Sequence, residues 1–107
     1  MELPKIIERL KELEKIIDPI ECNVLSSNIN GFIMDCEESL HVKNLEISNL
    51  WLKLREEYKS DSKTDRAIEV TKEFQDRERV KLTMSQLKRF RSDLKDRFQI
   101  LTATKRY

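Results

Sequence analysis

Glycine and proline are almost missing: Gly31, Pro4 and Pro19 are the only ones among 107 residues. So few breakers, with abundant Leu, Lys, Glu and Arg, read as long helices. Histidine occurs once, at His41, and cysteine twice, at Cys22 and Cys36. That is no zinc set, and no metal or other cofactor is expected. The cysteines stand fourteen positions apart. On one helix that is about 21 Å, far beyond the ~7 Å a disulfide tolerates. Both are expected as buried small hydrophobes. No apolar run approaches the ~18–20 residues of a membrane span. The opening Met1-Glu2-Leu3-Pro4-Lys5 lacks signal-peptide architecture, so a cytoplasmic protein with no membrane contact is expected.

Reaction-bearing patterns are missing too. The chain has no Gly-x-Ser-x-Gly, no glycine-rich phosphate loop and no carboxylate cluster beside the histidine. Glu37-Glu38 and Glu56-Glu57 are adjacent pairs, but neighbours on a helix point about 100° apart and read as solvated surface. No catalytic residue and no small-molecule substrate is expected, and the chain reads as a non-enzyme.

Hydrophobic residues make up 38% of the chain and charged residues another 38%. Apolar content this low lines narrow seams rather than filling a wide core. An elongated all-α protein that completes its core with other subunits is expected, a homo-oligomer. The charge is unevenly placed. Arg77 to Tyr107 holds ten Lys/Arg against three Asp/Glu, or +7, and the rest holds eleven against seventeen, or −6. The total of +1 hides this split. Such asymmetry suits an anionic partner or a self-complementary assembly.

Periodicity sets out a single helical domain over residues 1–107. Leu3, Ile6, Ile7, Leu10, Leu13, Ile16 and Ile17 recur at three- and four-residue steps, giving an amphipathic helix within 1–18. Asp18-Pro19 stops it and restarts the chain, with Asp18 as N-cap and Pro19 at the first helical position. A long helix follows over 19–59, carrying Cys22, Leu25, Ile29, Ile33, Cys36, Leu40, Ile47, Leu50, Trp51 and Leu54. Its weak point is Ser26-Ser27-Asn28 through Asn30-Gly31, yet the apolar period keeps phase across it, so continuity is expected. Residues 60–64 read as a loop, with Ser62 and Asp65 as an approximate capping box. A helical arm over 65–104 completes the chain. In it Val80, Met84, Leu87, Arg91, Leu94, Phe98 and Leu101 step by 4, 3, 4, 3, 4, 3, a coiled-coil seam. The two long helices form an antiparallel hairpin. The oligomer and core seam is expected at Leu40, Ile47, Leu54, Val80, Met84, Leu87, Leu94, Phe98 and Leu101. Arg91 stands in it as a lone charge, with Lys43 in the facing seam, where a charge fixes register or snorkels to the edge.

Cations mark the candidate site. Lys53, Arg55, Lys59, Lys63 and Arg66 cluster where the hairpin turns, and Arg77 and Arg79 extend the cluster. Lysine and arginine bind phosphates by releasing counterions, whatever the base sequence, and Trp51, Tyr58, Phe74 and Phe90 can add stacking on single strands. The nucleic-acid contacts are expected at Lys53, Arg55, Lys63, Arg66, Arg77 and Arg79. Lys81, Lys88, Arg89, Lys95 and Arg97 flank the seam of the last helix.

From Leu40 to Arg106 the chain resembles the small helical phage proteins of the UvsY recombination-mediator type. The resembling elements are Leu50-Trp51-Leu52-Lys53-Leu54-Arg55-Glu56-Glu57-Tyr58, then Ser62-Lys63-Thr64-Asp65-Arg66, then the long basic helix. The resemblance implies homo-oligomeric rings that bind single-stranded DNA through Lys53, Arg55, Lys63 and Arg66 and help load a recombinase, in the host cytoplasm if phage-encoded. The rival reading is a coiled-coil protein–protein module with no nucleic-acid role.

Overall fold

The computed structural model of the protein describes residues 2–105, without the side chains of Thr104 and Lys105. It is all-α, with no strand among the described residues. In chain order come α1 (Leu3–Leu10), a 3-10 turn (Leu13–Lys15), α2 (Pro19–Tyr58), α3 (Asp61–Glu69) and α4 (Lys72–Lys105). The long helices α2 and α4 pack together as a hairpin. The chain divides into two compact units, Met1–Met34 with Ser85–Tyr107, and Asp35–Met84.

The first helix is shorter than its periodicity predicts. It stops at Leu10, and a 3-10 turn carries the chain to Lys15 before the extended Ile16. Tertiary packing overrides the local pattern: the bend keeps Ile6, Leu10 and Ile16 all at 2% exposure or less. The Arg97 guanidinium on α4 donates to the carbonyls of Ile16 at 2.8 Å and Glu14 at 3.1 Å. Arg9 grips the start of α2, with Nε and Nη2 on the two oxygens of Glu21 at 2.6 and 3.1 Å. The hydrogen-bonded carboxylate holds the Arg9 pKa above its ordinary value. Asp18 caps α2 as expected, its Oδ1 accepting from the Ile20 amide at 2.9 Å.

Helix α2 runs unbroken through Asn30-Gly31. Part of the reason lies in what Asn30 does. Its side-chain oxygen accepts from Arg91 on α4 at 3.0 Å, so it is not competing for its own backbone, the usual reason Asn disfavours helices. Arg91 therefore pairs with a neutral side chain at the edge of the helices, and both Arg91 and Asn30 are exposed. In the second unit the same kind of pair recurs, with Arg77 Nη1 3.4 Å from Asn44 Oδ1. From Asn30 to Asn44 is fourteen residues up α2, and from Arg91 to Arg77 fourteen down α4. Two heptads on one helix match two on the other, which is the register of an antiparallel heptad pair.

The first unit buries Ile6, Leu10, Ile16, Cys22, Leu25, Ile29, Ile33, Leu87 and Leu94, each at 3% exposure or less. In the second unit Ile47 and Ile68 are the buried hydrophobics, and Thr64 is fully buried as well. The Thr64 hydroxyl donates to the Ser60 carbonyl at 2.7 Å, which satisfies it. Burial raises the Cys22 thiol above its ordinary pKa, with nearby Arg97 opposing; Cys36, half-buried, is raised too, by burial and then by Asp35. Both cysteines are free.

Residues 60–64 are not a loop. Helix α3 starts at Asp61, and its N-cap is Ser60, whose side chain accepts from the Lys63 amide. Asp61 in the first turn favours a start there through the helix dipole. The connection shrinks to Lys59-Ser60, where Lys59 takes the left-handed conformation, φ 55°, in the place where helices commonly put glycine. A second break falls at Val70-Thr71, where the Thr71 hydroxyl accepts from the Phe74 amide at 3.3 Å and so caps α4.

Candidate nucleic-acid interface

All six cations expected at a phosphate-binding surface lie in the second unit. Local structure sorts them into free and engaged. Lys63 and Arg66 stand three residues apart on α3, so they share a helix face. Both are exposed and make no ion pair among the described residues. Lys53 on α2 is also exposed and unpaired there, at the rim of a shallow surface concavity with Glu46, Asn49, Leu50 and Glu73. Arg79 on α4 is largely exposed, with Asp76 3.8 Å away, one turn earlier.

The other two are committed internally. Arg55 Nε lies 2.6 Å from Asp61 Oδ1, which ties the end of α2 to the start of α3. Trp51 makes a parallel tie, its indole N–H donating to Asp65 Oδ1 at 2.8 Å. Arg77 is held most firmly. Its guanidinium sits 4.7 Å above the Phe74 ring and contacts Asn44 and Glu78, and its side chain is only 19% exposed. Its Nε is buried without an acceptor among the described residues. Pulling this arginine out to a phosphate would forfeit the stacking and the interhelical contact together.

The aromatic residues follow the same division. Trp51, Phe74 and Phe90 are half-buried, and Tyr58 is 42% exposed, the freest of the four. Trp51 and Phe74 line an apolar groove of about 410 Å³ with Ile47, Ser48, Leu52, Ile68 and Arg77. On α4 in the first unit, Lys88, Arg89 and Lys95 are exposed with no ion pair among the described residues, whereas Arg97 is spent on the Ile16 and Glu14 carbonyls.

Of the seam positions, Ile47, Leu87 and Leu94 are buried, while Leu40, Leu54, Val80, Met84, Phe98 and Leu101 are half-buried. Sequence reasoning passed over Asn30 and Asn44 as partners for arginines. The signal existed: two arginines and two asparagines, each pair fourteen residues apart, on helices expected to run antiparallel. It also passed over Thr64, since nothing in a threonine's identity marks it for full burial.

Among the described residues no group of three His, Cys, Asp or Glu side chains could hold a metal ion, and no helix is long and apolar enough to cross a membrane. No family model matches the chain, and no curated protein and no solved structure matches it either. Fold and surface together define an all-α helical-hairpin protein with a set of unpaired cations around α3.

Proposed function

We propose that this protein is a non-catalytic, homo-oligomeric accessory protein that binds single-stranded DNA, of the kind that helps load a recombinase. The observation that carries the reading is the set Lys53, Lys63 and Arg66, three exposed cations with no carboxylate partner among the described residues. Cations left unpaired are free to neutralise phosphates and release the counterions condensed on the nucleic acid, and the resulting affinity is independent of base sequence. Three such groups per chain bind weakly. Several chains in one assembly present them together, and the second and later contacts form at high effective concentration. Tyr58, just before the turn into α3, supplies an aromatic face for a base.

Arg55 and Arg77 drop out of the contact set, because each is held by internal partners. Their role in this reading is positional: Arg55 fixes the start of α3 and so the direction in which Lys63 and Arg66 project.

Fluorescence anisotropy with a labelled single-stranded oligonucleotide tests the proposal. Binding is expected at about 50 mM salt and falls steeply as salt rises. The double variant Lys63→Glu/Arg66→Glu is expected to weaken binding at least tenfold and to flatten the salt dependence, with an unchanged sedimentation coefficient. No binding at low salt, or full binding by that variant, sinks the reading. A second reading, a coiled-coil module that binds another protein, draws on the exposed Val42, Leu45 and Leu52 of α2, each more than half exposed. It gains ground if capture of a protein partner survives nuclease treatment while the oligonucleotide titration stays flat.

A further inference from the structure

The groove that Trp51 and Phe74 line has a make-up of its own. Two of its residues are aromatic, Trp51 from α2 and Phe74 from α4, both half-buried. Its aliphatic part includes Ile47 and Ile68, which are buried. Leu52, 60% exposed, and the exposed Ser48 keep it open to solvent. Every residue that lines it belongs to the second unit. Its volume of about 410 Å³ falls within the ~300–1,000 Å³ of small-ligand sites.

One residue of the lining is charged, Arg77. Its guanidinium carbon lies 4.7 Å from the centre of the Phe74 ring. A guanidinium has several N–H donors to place. Arg77 spends Nη1 on Asn44 at a long 3.4 Å and Nη2 on Glu78 at 3.2 Å. Its Nε is buried with no acceptor among the described residues, and a buried donor left unmatched is costly. Its charge is not fully matched either. The Glu78 Oε1 that contacts Arg77 also lies 3.4 Å from Lys81 Nζ, so two cations share one carboxylate. The Arg77 side of the groove thus holds unspent donor capacity and one positive charge over. On the Trp51 side the Asp65 carboxylate accepts from the indole N–H, so an anionic group suits the Arg77 side alone.

We propose that this groove is a nucleotide subsite. An unstacked base of a single strand lies against Trp51 and Phe74, an acceptor on the base edge takes an unspent donor of Arg77, and the adjoining phosphate faces Lys81. The proposal rests on the single-stranded DNA reading and gives it a base contact. Arg77 keeps its place over Phe74, because the base comes to it. Every base has a π face, so stacking here tolerates any sequence, and every base carries ring or carbonyl acceptors. An aliphatic side chain of a protein partner would fill the space but offers neither acceptor nor charge. A fatty carboxylate offers the charge but no flat face for two aromatic residues. A nucleotide brings the flat face, the acceptor and the negative charge together.

Trp51 is the chain's sole tryptophan, so its fluorescence reports from the groove itself. The test titrates the wild type, at about 50 mM salt, with an oligo-dT strand and with an abasic strand carrying the same number of phosphates. The dT strand is expected to quench Trp51 and to bind at least about fivefold tighter, the lower end of what one stacked base contributes. The abasic strand is expected to bind without quenching. Ser48→Phe puts a ring into the groove from an exposed position. It should keep the helical circular dichroism and the abasic affinity, and lose both the quenching and the excess affinity for dT. Equal affinity for the two strands, equal quenching by them, or a full dT excess in Ser48→Phe overturns the subsite and leaves the DNA reading on its phosphate contacts. Binding of neither strand overturns both. Quenching by decanoate or by an apolar peptide, with none by dT, overturns the subsite in favour of that occupant.

Discussion

Among the described residues, nine hydrophobic side chains are buried in the unit formed by residues 1–34 and 85–107, against two in the unit formed by 35–84. Both units are built on the same two long helices, and the difference lies both in those helices, which bury six hydrophobics in the first unit and one in the second, and in the third element each unit supplies. In the first unit α1 and the turn after it contribute Ile6, Leu10 and Ile16, all buried to 2% or less. In the second, α3 contributes Ile68 and a threonine. Nine residues of α3 with a polar outer face, DSKTDRAIE, leave room for little else. The unit with the thin core is the one that displays Lys53, Lys63 and Arg66.

Core truncation strikes hardest at this contrast. Leu94→Ala in the first unit is expected to cost about 2–5 kcal/mol, because it empties a fully enclosed site. Ile47→Ala in the second should fall near the low end, about 2 kcal/mol, since a thinner shell collapses more readily. Urea melts of the two variants decide it, and equal costs would erase the distinction. Next comes Arg97→Met, which removes two charge-assisted bonds to the carbonyls of the 3-10 turn and should cost about 1.5–3 kcal/mol. Its signature in hydrogen exchange is loss of protection near the turn, with the amides of α3 unmoved. A smaller change runs the other way. Lys59→Gly relieves a left-handed residue and should stabilise by roughly 1 kcal/mol, read as a raised thermal midpoint, with the gain concentrated in α3. The mildest probe needs no mutation, because each unit holds one free thiol. Cys22 is 1% exposed and Cys36 half-buried. Alkylation at mildly alkaline pH should label Cys36 first and Cys22 only on wider opening, as thiolate content and access both control the rate.

Much of the fold was legible because it rests on period. The heptad steps through Leu87 and Leu94 and through Cys22, Leu25 and Ile29 located both long helices and the hairpin they make. The continuity of α2 through Asn30-Gly31 followed from phase, against local propensity. Three features were not legible, each for a physical reason. The bend after Leu10 depends on a clamp from Arg97, more than eighty residues away in sequence. The start of α3 turned on a choice between Ser60 and Ser62, two capping residues each followed by acids, which local sequence leaves balanced. At the candidate site the clustering of cations could be read, but not which ones were spent. Arg55 and Arg77 look like Lys53 and Arg66 in sequence, and only the placement of Asp61 and Phe74 separates them.

The most direct test is sedimentation velocity of the wild-type chain with and without a labelled single-stranded oligonucleotide at low salt. An oligomer is expected in both runs, with the label travelling at the oligomer's rate in the second. A monomer in both, with the label left behind at the free oligonucleotide's rate, would contradict the assembly and the DNA contact together.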